Sequence, residues 1–387
     1  MKKTSEKNTK TMKTLSNHFK SIIGGLAFVL IIASCDSNPD VTPREDLLPQ
    51  QFRVDIPSSL SNSELANGRV IPNGRVKDDT VRGNDIYELL GVFIEIGDEA
   101  GELVEEIING VRRNNIDRVI TLTYISDDDN REKNLVVVDN SDFEGRTWDY
   151  QLTVTDADSE GEADGGKAMQ VFWNVGQPVE GIAILKPFNI DRVANEFGGD
   201  AIFRIDYAET GEFGYEAHME VQISGLPLPS PLIDQFAIDN LKMFAGKNGN
   251  TIDVRGNSNH PNAQFFNGDQ GFNWAFVASG DEILDIGVAE VGLPPSDLNE
   301  TDRSVLLEEY SINNVFIREV TASFPGLTEE LIAPFLVETE APGYFSDEGF
   351  LSGGTSPGVA WDGLAARLGD LSPFNPSEVS SLTLDFK

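Results

Sequence analysis

From Asp117 onward the chain alternates apolar and polar residues with a period of two, and this rhythm limits its folds more than any other feature. Thr147 to Val154 is the clearest case, with Trp148, Tyr150, Leu152 and Val154 on one face and Thr147, Asp149, Gln151 and Thr153 on the other. Tyr215 to Ile223 repeats it, with Ala217, Met219, Val221 and Ile223 inward. Further strands are predicted over 119–125, 135–139, 168–175, 181–185, 202–208, 241–245, 251–255, 273–278 and 283–291. The connections are short and polar, and Asn248-Gly249 is a two-residue hairpin signal. No helix of crossover length separates these segments, so the sheet is expected to be antiparallel.

Ahead of the strands lies a helical period. Ile86, Leu89, Leu90, Phe93, Ile96, Ala100, Leu103, Val104, Ile107 and Ile108 recur at three- and four-residue steps. Asp85 with Glu88 makes a capping box, and Gly110 is placed to stop the helix. Gly97 and Gly101, one turn apart, invite a close neighbour. The expected fold class is α+β: a long N-terminal amphipathic helix from Asp85 to Asn109 packed in a curved antiparallel sheet, half-barrel or barrel-like. In architecture alone this resembles the half-barrels of envelope lipoprotein carriers, a likeness that carries no function.

After Leu293-Pro294-Pro295 the chain becomes loop-rich, with helices predicted at 301–312 and 359–368. A last strand is predicted where Leu382, Leu384 and Phe386 alternate with Thr383 and Asp385. Four parts result: 1–34, 35–84, 85–293, and a section 294–387 expected to pack on the sheet. Pro39, Pro43, Pro49, Pro57 and Pro72 give 35–84 the composition of a flexible tether, apart from one extended piece, Phe52 to Ile56.

The first part carries Lys2, Lys3, Lys7, Lys10, Lys13 and Lys20, then an apolar and small-residue run from Ile22 to Ala33. That order is what the export machinery reads as a secretory signal. The run is too short to cross a hydrocarbon layer, which takes about 20 helical residues. Ile32-Ala33-Ser34-Cys35 resembles the lipobox of bacterial lipoproteins. The resemblance implies cleavage before Cys35 and acylation, palmitate included, of that cysteine. It also implies a lipid-anchored place in the cell envelope, at the outer membrane, with the membrane as a partner. Cys35 is the sole cysteine, so no disulfide framework or cysteine-based metal site is available.

The whole chain has 29 basic and 64 acidic residues; removing the leader's six lysines and one glutamate leaves 23 against 63. So negative a surface repels nucleic acid and attracts divalent cations. Apolar residues still make up 40% of the chain, enough with their clear periods to expect a folded core rather than disorder.

Candidate chemistry is sparse. Asp156, Asp158, Glu160 and Asp164 alternate towards Gly161 and resemble the first half of an EF-hand loop, which makes calcium the one cofactor to consider. Lys167 stands where that family needs a bidentate glutamate. Asp127-Asp128-Asp129 is a weaker version. Arg255-Gly256-Asn257-Ser258-Asn259-His260-Pro261-Asn262 reads as a polar turn in which Arg255, Asn257 and His260, with Trp274 to stack on a ring, are the candidate ligand-binding residues. His218 falls on the polar face of its strand. With two histidines after the leader and no H-E-x-x-H, a zinc site is not expected. Gly354-Thr355-Ser356-Pro357-Gly358 matches the serine-hydrolase string, but Pro357 lacks the N–H the oxyanion needs, and His218 and His260 precede the serine. No nucleotide-binding fingerprint is present.

The expectation is a non-enzymatic, lipid-anchored envelope protein that binds a ligand or partner protein through the curved sheet. The alternative is a carboxylate-dependent extracellular glycan hydrolase, which needs two facing acids. An outer-membrane pore is a third, weaker reading, disfavoured by the charged loops and the long helix.

Overall fold

The computed structural model describes residues 52–61, 83–113, 119–126, 128–193, 197–230, 236–263 and 271–387. Cys35 and its leader lie outside the described residues.

The molecule is α+β and dominated by one sheet of 13 strands whose spatial order is their order in the chain. The strands are β1 (Ile120–Ile125), β2 (Glu132–Phe143), β3 (Arg146–Asp156), β4 (Lys167–Trp173), β5 (Glu180–Leu185), β6 (Ile202–Ala208) and β7 (Ala217–Ser224). They continue with β8 (Leu241–Asn248), β9 (Thr251–His260), β10 (Phe272–Asp281), β11 (Ile286–Gly292), β12 (Gly343–Ser346) and β13 (Gly349–Gly353). Every pairing is antiparallel, as the short connections require everywhere but between β11 and β12, which a long helical section joins. Between β8 and β9, Asn248 pairs with Thr251 across a two-residue turn that Gly249 opens at φ 60°. The sheet ends at β1 and β13, so the closed barrel, one of the two forms expected, is not formed.

A helix, α1, runs Gly83–Arg113, which places Asp85 and Gly110 inside it rather than at its ends. Its apolar side meets the sheet in the main core, where Phe93 stands 5.0 Å from Trp274 edge-on. Burying an aromatic side chain of this size contributes about 1.5–3 kcal/mol. Gly97 and Gly101 admit strands β8 and β7: a Cβ at Gly97 would collide with Met243, and one at Gly101 would meet Met219 Sδ at 2.9 Å. Phe52–Ser61, expected within the tether, is packed instead. Phe52, Val54 and Ile56 are buried in the same core, and Leu60 follows them in the helical turn Ser58–Ser61. Alternation without a neighbouring strand is enough to bury one side of this extended segment.

The opposite, outer face of the sheet is covered in two places. Over β10–β12, Val277, Ile286, Val288 and Tyr344 pack with Leu306 and Leu307 and with Leu364 and Leu368. Helix α2 (Ile312–Ser323) belongs to the section that follows β11, and helix α3 (Val359–Arg367) supplies Leu364. Over β3–β5, Phe172, Ile182 and Ile184 pack with Trp148 and Phe386. Trp148 thus leaves the face it shares by parity with Tyr150, Leu152 and Val154, which sit in the main core.

Three expectations fail for physical reasons. Residues 382–387 form no strand; they lie across the sheet, with Lys387 N donating to Gln170 Oε1 and Nζ to Ser141 Oγ. The helix expected over 301–312 is a short π-helical stretch, Ser304–Glu309, that ends before α2 begins. Strands β12 and β13 were hidden among prolines and glycines because each is only four or five residues long.

Candidate functional site on the outer face of β6 to β9

The acidic loop after β3 meets the protein's own cations. Asp156 is fully buried, with Arg131 Nε and Nη2 donating to its two oxygens at 2.7 Å each. Lys133, itself buried, donates to Asp156 Oδ2 at 2.8 Å, Asp129 Oδ2 at 2.8 Å and the Asn189 carbonyl at 2.9 Å. All three ammonium donors are therefore used. Burial works against the Asp156 charge, but the hydrogen bonds from Arg131 and Lys133 outweigh it and hold the carboxyl well below the usual range. Asp164 accepts from Lys186 Nζ at 2.5 Å and Asn189 Nδ2 at 3.1 Å, and Glu160 accepts from Asn134 at 2.9 Å. Asp158 stands 3.8 Å from Arg131. Among the described residues no three acidic, histidine or cysteine side chains stand together in a group fit for a metal ion. Of the carboxylates proposed for calcium, Asp156, Asp158 and Asp164 thus face Arg131, Lys133 and Lys186, and Glu160 faces Asn134.

The second set of candidates is not in a turn. Arg255, Asn257 and His260 belong to β9, in the middle of the sheet, and Trp274 to β10. His260 and Trp274 are wholly buried on the helix side, with Phe93 4.8 Å from the imidazole. His260 Nδ1 lies 2.8 Å from the Phe236 carbonyl and Nε2 2.7 Å from Ser258 Oγ. A carbonyl only accepts, so Nδ1 carries the proton and Ser258 donates to Nε2. Burial pulls the imidazole down to about 4. Asn257 faces outward but is covered, accepting from Phe374 N at 2.8 Å. Asn259 accepts from Ser296 at 2.8 Å and from Ser380, in helix α4 (Pro376–Ser380), at 3.2 Å. Asn, Ser, Gly and Pro read as a turn because turns favour them. Here the C-terminal segment supplies the partners that let them sit in a central strand. Ser356 donates to Asp362 Oδ1 at 2.6 Å.

Between the two apolar caps the outer face stays half-exposed and ionic. Arg204 and Asp206 point outward from β6, Glu220 and Gln222 from β7, Lys242 from β8 and Arg255 from β9. Arg204 Nη1 and Nη2 donate to Glu144 at 2.5 and 2.8 Å, while Nε and Nη2 donate to Asp206 at 2.8 and 2.9 Å. Asp206 is directly opposite Glu220 in the register. Like charges so placed cost stability, so packing does not account for the pair. Burial, with Glu220 and Glu144 nearby, raises the Asp206 carboxyl although Arg204 opposes it. Glu220 Oε1 accepts from Gln222 Nε2 at 2.7 Å and is 3.0 Å from Lys242 Nζ.

Aromatic rings border this row. Arg255 stacks between Phe244 and Phe374, 5.0 and 4.9 Å from their centroids. His218 lies parallel to Phe244 at 5.7 Å, and its buried Nδ1 makes no hydrogen bond among the described residues. Burial lowers the His218 imidazole, against Glu212 and Glu220. Phe213, in the turn between β6 and β7, stands edge-on to His218 at 5.1 Å and to Phe244 at 5.7 Å. It is 63% exposed and holds φ 58°, a conformation that costs a bulky residue about 1–2 kcal/mol. Sequence reasoning missed Phe213, Asp206 and Glu220. The available signal was a phenylalanine between Gly211 and Gly214, where a turn wants small polar residues.

The chain matches no known protein family, no curated protein and no solved structure.

Proposed function

We propose that this is a lipid-anchored envelope lipoprotein that binds without catalysing, its body a helix held in a curved, half-barrel sheet. Cys35 carries the acyl chains, and the binding surface is the outer face of β6 to β9. Among the described residues, apolar side chains pack the helix side of the sheet, whereas the polar and charged groups of that surface face outward. The ligand class that suits the outer face is a hydroxyl-rich polymer of the glycan type. Arg204, Lys242 and Gln222 offer donors, Asp206 and Glu220 acceptors, and Phe213 an apolar platform for a sugar ring. The observation that carries the reading is Phe213, exposed and strained where glycine would rest at no cost.

The hydrolase is the second reading, favoured by the Asp206–Glu220 pair alone. Against it, Arg204 grips Asp206 through both oxygens and Glu220 is held by Gln222 and Lys242, so neither carboxylate is placed to exchange protons with a substrate. The test is a screen of the full-length protein against envelope and extracellular polysaccharides, scoring binding and reducing-end release together. Saturable binding without release is expected. Release that disappears in Glu220→Gln supports the hydrolase, and no binding to any glycan contradicts the proposal.

A further inference from the structure

Arg255 is unlike the other cations of the outer face. Arg204 holds Asp206 and Glu144, Lys242 stands 3.0 Å from Glu220, and Arg303 and Arg367 hold Glu290 and Asp253. Arg255 makes neither a hydrogen bond nor an ion pair among the described residues. Asp253, two positions back along β9, is already taken by Arg367, Tyr215 and Ser279. The guanidinium nitrogens of half-buried Arg255 are not sealed from solvent, so its donors are open. Its plane is nevertheless fixed. Phe244 is its register neighbour on β8, and Phe374 is pinned beside it by the hydrogen bond from its own N–H to Asn257. Lys242 Nζ lies 4.6 Å from the centre of the same Phe374 ring, so two cations share that ring.

We propose that Arg255 grips the carboxylate of a uronic acid unit, so that the ligand of the outer face is an acidic glycan; this rests on the reading of that face as a glycan-binding surface. A planar guanidinium held by stacking presents its N–H fork to the two oxygens of a carboxylate, and little freedom is lost when they meet. Lys242 gives Glu220 one ammonium donor and keeps others for the same ligand. Phe244 links this cation to the exposed ring: it is 5.7 Å from Phe213 and 5.0 Å from the Arg255 guanidinium, a reach that one or two sugar units span. The charge count agrees. Lys242 answers Glu220 and Arg367 answers Asp253, which leaves one positive charge, suited to a carboxylate rather than to a phosphate carrying nearly two negative charges. The chain's net charge of −35 does not forbid an anion here. At physiological salt, exposed charges beyond about 8 Å are largely screened, and the near ones are paired.

The test titrates the full-length protein with polygalacturonate, alginate and hyaluronan, each beside its carboxyl-reduced, neutral form, and with dextran sulfate. At least one uronate polymer is expected to bind tenfold or more tightly than its reduced form. Arg255→Gln should bring the acid form down to the affinity of the neutral one, and Arg255→Lys, which keeps the charge without the fork, should recover only part of the preference. Melting curves accompany both variants; should Arg255→Gln fail to fold, the reduced polymers and Arg255→Lys still decide. Equal affinity for acid and neutral forms, a preference that survives in Arg255→Gln with only the melting temperature lowered, or dextran sulfate bound as tightly as the best uronate would overturn the inference. Binding to neutral glycans alone would overturn it and leave the glycan reading standing, whereas binding to no polymer would contradict both.

Discussion

Ser258 Oγ donates to His260 Nε2 across 2.7 Å inside the sheet, where both side chains are fully buried. The pair has the outline of a nucleophile and its base. No substrate reaches it, and the other ring nitrogen is spent on a backbone carbonyl. Its consequence is for stability. His260 is held neutral with a folded pKa near 4 against 6.5 in an unfolded chain. The unfolded state binds the extra proton between those values, so this contribution is complete above pH 6.5 and is lost as pH falls to about 4, up to ~3 kcal/mol.

Asp98 acts in the opposite sense over the same range. Burial, with Asp55, Glu102 and Glu95 outweighing Arg53, lifts its carboxyl to about 7, so its contribution is present at low pH and fades as pH rises from 3.8 towards 7. Asp98→Asn therefore removes this opposing contribution, while His218, whose imidazole burial also lowers, acts in the same sense as His260. In that background, denaturant titrations should show stability falling steadily from pH 6.5 to 4, and His260→Gln should flatten the slope.

Lys133 is the single cation buried among Asp129, Asp156 and the Asn189 carbonyl. Lys133→Met leaves carboxylates in the interior with one fewer counter-charge, at a cost of about 3–5 kcal/mol. Urea unfolding of the variant measures it. A loss below 1 kcal/mol would mean that Arg131 alone neutralises the site.

Phe213→Gly separates strain from use. Glycine rests at φ 58° without penalty, so the variant should be about 1 kcal/mol more stable than the natural chain while its ligand affinity falls. Thermal melts paired with binding would show the two changes in opposite directions.

Cys35→Ser should move the protein from the membrane fraction to the soluble one. Two or more acyl chains, at about 0.8 kcal/mol per buried methylene, anchor durably, and without them a strongly acidic body has little to hold it to a bilayer. Fractionation of cells expressing each form decides it.

The sheet was legible and the site was not. Alternation in Ala217, Met219, Val221 and Ile223 names a strand because it needs only neighbours along the chain. The Asp206–Glu220 pair depends on which strand lies beside which and in what register, and no local pattern records that. Residues 255–260 failed for a related reason. Asn257 and Asn259 are tolerable in a central strand only because Phe374, Ser296 and Ser380, distant in sequence, satisfy them. The ion pairs made by the acidic run at 156–164 were not legible because Arg131, Lys133 and Lys186 lie on other strands or the loops beside them.

The most direct test of the binding proposal is isothermal titration of the best-bound polysaccharide into the natural protein, Phe213→Ala and Glu220→Gln, each checked for an unchanged fold. The expected result is saturable binding weakened about tenfold or more in both variants, which corresponds to at least ~1.4 kcal/mol apiece. Equal affinity in all three proteins would contradict the assignment of the outer face of β6 to β9 as the binding surface.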